Sequence, residues 1–323
     1  MEKRILIPNT ELSVYPIGLG TVDAGLLWDK ADADRIFDTY VDQGGNLIDC
    51  AHVYSDWVPG EIARAERVLG DWLSKCGKRE QMVIMTKGGH PDMTIPVPDT
   101  HASRMTHADM VKDLDESLKQ LRTDYIDIYF YHRDNRAQSV EEEIETMEQF
   151  VKEGKIRYYG CSNWDVDRMK AADAYCKEKG YRGFVADQSL LNLGMKYMNP
   201  LADDTLGYTK GEAYQYHVDN ANNLEMPFMG NCSGFFHIFD AKGEDGVQGN
   251  PYYTPGNVKV AQGVKELKAK YNCSITQVVL GFFYHQPFNC VPLYGPACPE
   301  HIVDACGTLD VPFTDEDYRN LLK

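Results

Sequence analysis

The sequence predicts a single α/β domain, a (β/α)8 (TIM) barrel that spans all 323 residues. Short apolar runs alternate with amphipathic segments eight times, and no linker or low-complexity tract divides the chain. This alternation implies parallel strands, and eight such units in a chain of this length favour a closed barrel over an open doubly wound sheet. We also expect a β-hairpin that caps the N-terminus and long loops at the C-terminal face.

The chain begins with the predicted hairpin. Residues 4–7 and 13–16 flank Pro8, Asn9 and Thr10, which are residue types that favour a turn. Residues 17–21 follow as the first barrel strand, and the two glycines in this run suit close approach of the backbone to another group.

The other strands are predicted where a short apolar run lies between turn signals. They cover residues 46–49, 82–86, 126–131, 158–162, 184–188, 226–229 and 291–294. Apolar residues at helical spacing predict the helices that connect them. These cover residues 31–43, 62–75, 107–121, 140–153, 166–179, 210–222, 258–271 and 299–306. Residues 88–107 and 243–256 are long polar loops, and such loops are often functional lids.

The composition excludes several classes of partner. A formal net charge of −16 argues against nucleic acid or an anionic membrane surface as the main partner, because both would repel the protein. Hydrophobic residues make up 43% of the chain and charged residues 25%, which is typical of a globular protein. We therefore expect a small-molecule substrate; the oligomeric state is not predicted.

The cysteines and the N-terminal residues indicate the cellular compartment in which the protein is expected. Nine cysteines are scattered without a Cys-x-x-Cys pair, so neither a disulfide framework nor a metal site is expected. Residues 1–8 lack the apolar core of a signal peptide, and no run approaches the length of a membrane span. These features predict a cytoplasmic protein.

Polar side chains stand at the ends of three consecutive predicted strands. Asp49 ends the run 46–49, Lys87 follows the run 82–86, and His132 follows the run 126–131. In a barrel these positions meet at one mouth, and Tyr54 lies in the loop after Asp49. Singly, each has a plainer interpretation as a turn cap, a solvated cation or a rim histidine; together they predict an active site.

The chemistry of these four residue types is complementary. An ammonium beside a phenol favours the phenolate, so we expect Lys87 to lower the pKa of Tyr54 and to let it donate a proton near neutral pH. Asp49 would hold Lys87 by a salt bridge, and His132 would orient a carbonyl oxygen by a hydrogen bond.

Residues 44–55, Gly-Gly-Asn-Leu-Ile-Asp-Cys-Ala-His-Val-Tyr-Ser, resemble the active-site signature of the aldo-keto reductases. Asp49, Tyr54, Lys87 and His132 match the tetrad of that family, and the resemblance extends over essentially the whole chain. It implies metal-free hydride transfer between a nicotinamide and a carbonyl or alcohol, with Tyr54 as general acid or base. Residues 52–57 and 131–135 resemble a bacterial-type branch.

The same resemblance implies a cofactor site. Ser162 and Asn163 match the pair that binds the nicotinamide carboxamide, with Gln188 as their companion, and an amide needs both a donor and an acceptor. Phe228 stands where the family commonly stacks an aromatic ring on the nicotinamide, although a core aromatic is nearly as good an interpretation. The remaining positions assigned to the cofactor are Gly20, Thr21, Asp49, Gly230, Gly295, Cys298, His301 and Asp304.

Departures from the family pattern favour NAD(H) over NADP(H). Residues 295–305 contain neither lysine nor arginine where relatives commonly bind the 2′-phosphate, and Glu300 would repel it. Ala305 replaces a frequent asparagine, and residues 230–236 lack the arginine of the usual run. The expected cofactor is therefore NAD(P)(H), with a preference for NAD(H).

The predicted mouth loops contain aromatic and charged residues that suggest a substrate. Trp28, Trp57 and Trp164 would stack on a ring, and His90, Arg133 and Asp134 would supply hydrogen bonds. This favours a polyhydroxylated or sugar-derived carbonyl compound. The alternative is that the tryptophans pack under loops and the charges are solvated.

Two other functions remain open at this point. The fold also serves as a nucleotide-sensing subunit with marginal turnover, although the complete tetrad argues against it. A sugar lyase or epimerase that recycles a bound NAD is the second alternative.

Overall fold

A computed structural model describes residues 4–323. Residues 1–3, at the start of the segment that lacks a signal-peptide pattern, lie outside the described residues. The strands are β1 Ile5–Leu6, β2 Ser13–Val14, β3 Gly18–Gly20, β4 Leu47–Asp49, β5 Val83–Gly88, β6 Ile126–Tyr131, β7 Ile156–Ser162, β8 Phe184–Gln188, β9 Leu224–Glu225 and β10 Leu293–Tyr294.

The last eight strands form one parallel sheet that closes on itself. Its order is β10-β3-β4-β5-β6-β7-β8-β9. Closure comes from the backbone N–H of Val291, which donates to Glu225 O at 2.9 Å, and from that of Leu293, which donates to Pro227 O at 3.0 Å. The predicted (β/α)8 barrel is confirmed.

Helices surround this barrel, as its parallel strands require. They are α1 Lys30–Asp42, α2 Arg64–Cys76, α3 His107–Leu121, α4 Val140–Lys152, α5 Val166–Lys179, α6 Glu212–Asp219, α7 Phe235–Lys242, α8 Pro255–Tyr271, α9 Ile275–Gly281, α10 Pro299–Cys306 and α11 Asp315–Leu321. The start of α3 is defined by a capping box between Thr106 and Asp109. Every residue of β5 and β6 is buried, because one face packs in the barrel and the other under the helices.

The predicted hairpin is confirmed and closes the N-terminal end of the barrel. β1 pairs antiparallel with β2. Ile7, Leu12 and Val14 pack with Leu47 and Val83, which stand at the starts of their barrel strands. The active-site mouth therefore lies at the opposite end.

Two predicted strands differ from the structure because prolines interrupt their hydrogen-bond ladders. The strand predicted at 226–229 lies at Leu224–Glu225, since Pro227 has no N–H to donate. The strand predicted at 291–294 is reduced to Leu293–Tyr294 after Pro292.

Most predicted helices agree with the structure to within three residues at each end. The helix predicted at 210–222 spans only Glu212–Asp219. Helices α7, α9 and α11 were not predicted, because each has eight residues or fewer and shows too little periodicity. Among residues 4–323, none of the helices combines the length and apolarity that a membrane crossing requires.

Candidate active site

The barrel brings the four predicted catalytic residues together. Asp49 ends β4, Lys87 lies near the end of β5, and His132 follows β6. The Lys87 Nζ lies 2.8 Å from Asp49 Oδ1. It also donates to Cys50 O at 2.7 Å and to the Tyr54 hydroxyl oxygen at 3.1 Å. All three ammonium protons are thereby used, so Lys87 is held in one orientation.

The loop after β4 positions Tyr54. The backbone N–H of His52 donates to Lys87 O at 3.1 Å, and the His52 side chain lies 2.9 Å from Glu116 of α3. A turn follows, in which Tyr54 N donates to Ala51 O at 3.1 Å. Ser55 then adopts a left-handed conformation with φ of 84°, which is uncommon for a residue other than glycine. The phenol is therefore placed by anchors on both sides of the loop.

Burial controls the ionisation of Tyr54. It raises the pKa of the phenol to about 12, although Lys87 opposes this shift. Our prediction that Lys87 lowers the pKa below its usual value was wrong, because desolvation of the phenolate outweighs the attraction of the ammonium. Tyr54 is therefore a protonated acid at neutral pH. Because Tyr54 accepts a hydrogen bond from Lys87, its own proton remains available to a ligand.

Lys87 is charged despite being buried. Burial opposes its protonation, but Asp49 and Tyr54 together hold its pKa above the usual value. Asp49 Oδ1 also accepts a hydrogen bond from Gln188 Nε2 at 2.9 Å. The carboxylate thus links β4, β5 and β8.

His132 is neutral and has a free nitrogen. Burial, His90 and Arg133 hold its pKa well below the ordinary value. Its Nδ1 is buried and has no hydrogen-bond partner among residues 4–323. An N–H buried without an acceptor is costly, so the proton belongs on Nε2. The ring lies 5.9 Å from that of Tyr54, between centroids.

The four residues line a cavity of about 500 Å³. Most predicted cofactor residues line the same cavity: Gly20, Thr21, Asp49, Ser162, Asn163, Gln188, Phe228, Gly230 and Gly295. Cys298, His301 and Asp304, which were also predicted, do not line it. They lie at the start and along the length of α10.

The groups predicted to bind a carboxamide are partly engaged with one another. Asn163 Nδ2 donates to His132 O at 3.1 Å and to Ser162 Oγ at 3.0 Å, while its Oδ1 accepts from Gly207 N at 2.9 Å. Both N–H groups of Asn163 are therefore used within the protein, and its contact with a carboxamide stays a prediction. Gln188 donates to Asp49, and its Oε1 makes no hydrogen bond within the described part of the chain.

One wall of the cavity suits the nicotinamide end of the expected cofactor. A Cβ built on Gly295 would meet no atom within 4 Å, so backbone rather than side chain forms this wall. Asn231 Oδ1 is buried and lacks a hydrogen-bond partner within residues 4–323. A wall without a side chain and an unpaired acceptor suit a ring that carries an amide.

The predicted substrate residues are largely not in the cavity. Trp28 is completely buried, and its indole N–H donates to Pro296 O at 2.8 Å. Trp164 is 3% exposed and donates to Arg133 O at 3.1 Å. Neither can offer a face to a ligand, because both are packed under loops. Trp57 is exposed but does not line the cavity.

Of the charged and imidazole residues of the mouth loops that were predicted to contact the substrate, only one lines the cavity. Asp134 pairs with Arg168 at 2.6 Å, away from the cavity. His90 is buried behind His132, with 4.7 Å between ring centroids. Arg133 does line the cavity.

Several lining residues were not predicted. They are Val22, Asp23, Leu206, Met229, Asn231, Ser233, Leu293 and Tyr294. The sequence could have indicated Leu206, because it lies in a long segment, residues 189–209, between a predicted strand and the next predicted helix. Long loops of this kind are often functional. The loop returns to the site because Gly207 N donates to the side chain of Asn163.

A second buried charged cluster lies in the barrel wall. His217 Nε2 is 3.1 Å from Asp187 Oδ2 and 2.9 Å from Glu225 Oε2. These residue types can also bind a metal ion. The separations, however, are those of hydrogen bonds, and Thr209 donates to Glu225 Oε1 at 2.8 Å. We therefore describe the cluster as an ion cluster.

Comparisons with known proteins agree with this geometry. Residues 16–323 match the profile of the Aldo/keto reductase family. An aryl-alcohol dehydrogenase of Pestalotiopsis microspora is 26% identical over 333 residues, which cover 99% of this chain and 81% of that protein. The aryl-alcohol dehydrogenase [NADP(+)] of Phanerodontia chrysosporium is 30% identical over 209 residues, covering 60% of this chain and 52% of that protein.

A solved structure shares the fold. It is the crystal structure of a thermostable aldo-keto reductase in complex with the inhibitor epalrestat. It is 20% identical to this chain, with a TM-score of 0.74 and coverage of 99% of this chain and 98% of the other.

Proposed function

Because the chain belongs to the Aldo/keto reductase family of oxidoreductases, we propose that it interconverts an aldehyde or ketone and its alcohol with NAD(P)(H). One observation carries the proposal. The Tyr54 hydroxyl accepts a hydrogen bond from Lys87 at 3.1 Å and keeps its own proton for a ligand, in a cavity that also contains His132.

The chain's own residues move the proton. When bound, a reduced nicotinamide would supply the hydride that the carbonyl carbon accepts. Tyr54 donates its proton to the carbonyl oxygen, and the resulting phenolate is stabilised by the adjacent Lys87 ammonium. Asp49 keeps Lys87 in place, and the Nε2–H of His132 hydrogen-bonds the oxygen and orients it. In the oxidative direction the phenolate removes the proton of the alcohol.

Gly20, Thr21, Ser162 and Gln188 would hold the cofactor, with the other predicted residues of the cavity wall. The preference for NAD(H) stays a prediction. It is supported by the absence of lysine and arginine from residues 295–305. One observation opposes it. The guanidinium of Arg35 in α1 lies close enough to Glu300 to help lower the pKa of that carboxyl, so a cation does lie beside residues 295–305.

We propose aryl aldehydes and aryl alcohols as the substrate class. Two relatives are named aryl-alcohol dehydrogenases. The cavity wall contains Phe228, Tyr294 and Leu206, which suit an aromatic ring. The sugar-derived substrate that we expected has lost much of its support, because two of its three tryptophans, Trp28 and Trp164, are buried and Trp57 does not line the cavity. The single-domain organisation, the bacterial-type branch and the cytoplasmic location stay predictions.

A titration and an assay test the function. The purified protein is titrated with NADH and NADPH in parallel, using tryptophan fluorescence, and then supplied with 4-methoxybenzaldehyde. We expect at least one of the two nucleotides to bind. One equivalent of that nucleotide should be oxidised for each molecule of alcohol formed. Absence of binding by both nucleotides would contradict the proposal, and nucleotide binding without oxidation of the nucleotide by this aldehyde would contradict the proposed reaction with aryl aldehydes.

A further inference from the structure

The cavity contains a second cation that the proposed proton transfer does not use. Arg133 lines the cavity, and only 12% of its side chain is exposed. Its Nη1 donates to His132 O at 3.0 Å, and its Nε donates to Thr205 Oγ1 at 3.0 Å. The guanidinium is therefore held in a fixed place beside the reacting groups.

Arg133 is only partly neutralised. Its one salt-bridge partner among residues 4–323 is Asp203, at 3.2 Å, and 29% of that side chain is exposed. Burial lowers the pKa of Arg133, and Asp203 only partly offsets this effect. A guanidinium has five N–H groups, and three are used by His132, Thr205 and Asp203, so two remain.

Among residues 4–323, no second carboxylate forms a salt bridge with Arg133. His132 and His90 are neutral, since burial and Arg133 lower the pKa of each. Lys87 is already paired with Asp49. Asp23 also lines the cavity, but it makes no salt bridge to Arg133 within the described residues. This side of the cavity therefore favours an anion.

We propose that Arg133 binds a carboxylate of the substrate, so that the preferred substrate is an aryl carbonyl compound that also carries a carboxylate. The inference rests on the proposed function and names the substrate class of the same site. A carboxylate matches the planar donor arrangement of a guanidinium, and such charge-assisted hydrogen bonds are stronger than neutral ones. Substrates without the anion would leave the buried cation partly unsatisfied.

The test compares 4-formylbenzoate with its methyl ester, which differs from it mainly in charge. We expect the wild-type protein to prefer the acid by about 10- to 100-fold in kcat/KM, mostly through KM. Arg133→Gln should abolish the preference, because it should lower kcat/KM for the acid about 10- to 100-fold more than kcat/KM for the ester. Arg133→Lys should retain part of it. Arg136→Gln is the matched control, because Arg136 is exposed and pairs with Asp165 and Asp167.

A binding measurement separates this inference from the proposed function. Benzoate and benzamide are titrated into the nucleotide-bound protein, and only benzoate should lose affinity in Arg133→Gln. This result without turnover of either aldehyde would refute the function and support the carboxylate site.

Other outcomes would overturn the inference. Equal turnover of the acid and the ester by the wild-type protein would contradict the carboxylate site, but it would still agree with the proposed oxidoreductase function. A parallel loss of both substrates in Arg133→Gln would show a positioning role through His132 instead. Weakened nucleotide binding in that variant would assign the anion to the cofactor.

Discussion

The protein contains two buried charged clusters that differ in what lies beside them. The mouth cluster consists of Asp49, Tyr54, Lys87 and His132, and the wall cluster of Asp187, His217 and Glu225. Each places a cation within hydrogen-bond distance of a carboxylate. The mouth cluster lines a cavity of about 500 Å³, whereas every side chain of the wall cluster is at most 2% exposed. Buried charge therefore does not by itself identify an active site.

The histidines of the two clusters also differ, because their pKa values are shifted in opposite directions. Burial opposes protonation of His217, but Glu225 and Asp187 raise its pKa to about 10. Burial and cationic neighbours lower that of His132. Perturbed pKa values thus occur in both clusters, and only the mouth cluster offers its free donors to a ligand. We therefore expect the wall cluster to contribute to stability and the mouth cluster to take part in the proposed reaction.

The largest expected effect concerns Tyr54. Tyr54→Phe removes the proton donor, and kcat for aldehyde reduction should fall by about 10³-fold or more, because general acid catalysis contributes roughly 10² to 10⁴. Nucleotide binding, measured by fluorescence, should be unchanged. Steady-state kinetics at neutral pH provides the measurement.

The matched control is Tyr129→Phe. Tyr129 lies in β6, and its hydroxyl is buried without a hydrogen-bond partner among residues 4–323. Its loss should leave kcat within about twofold and cost little stability, because no hydrogen bond is removed. Activity retained in Tyr54→Phe would show that another group donates the proton.

The second prediction concerns the wall cluster, whose disruption should lower the stability of the protein and leave its activity unchanged. His217→Ala leaves Asp187 and Glu225 without their cation, which should lower the free energy of unfolding by about 3–5 kcal/mol. Urea denaturation measures this change. At temperatures where the variant stays folded, its kcat should be close to that of the wild type.

His132→Ala is the comparison for that prediction. Because His132 is neutral and its Nδ1 is unpaired, its removal should affect kcat/KM by about 10²-fold, as expected for a lost oxyanion donor. An equal loss of stability in both variants would mean that the two clusters do not differ in role.

Sequence predicted the mouth cluster because its members follow consecutive parallel strands, whose carboxyl ends share one edge. It did not predict the ionisation of Tyr54, because Lys87 is visible in the sequence whereas desolvation depends on the packed loop. The engaged amide of Asn163 depends on Gly207, which comes from a distant loop. Trp28 is buried because α1 supplies Phe37 against its ring. Burial and cross-loop contacts were therefore the missing information.

The third prediction uses pH to separate the directions of the reaction. A phenol with a pKa of about 12 is fully protonated from pH 6 to pH 9, so kcat for aldehyde reduction should not vary over this range. Alcohol oxidation requires the phenolate, whose fraction rises about tenfold per pH unit. The oxidation rate should therefore increase about 100-fold from pH 7 to pH 9. A flat oxidation profile would contradict the role of Tyr54 as base.

The smallest expected effect is the pH dependence of stability caused by the wall cluster. The folded pKa of His217 is about 10, above the usual 6.5, so its contribution is complete below pH 6.5 and is lost as the pH rises through 10. From pH 7 to pH 9 the free energy of unfolding should fall by about 2–3 kcal/mol. In His217→Ala this decrease should be smaller, because the proton retained by the imidazole is absent; an equal slope would place the effect elsewhere.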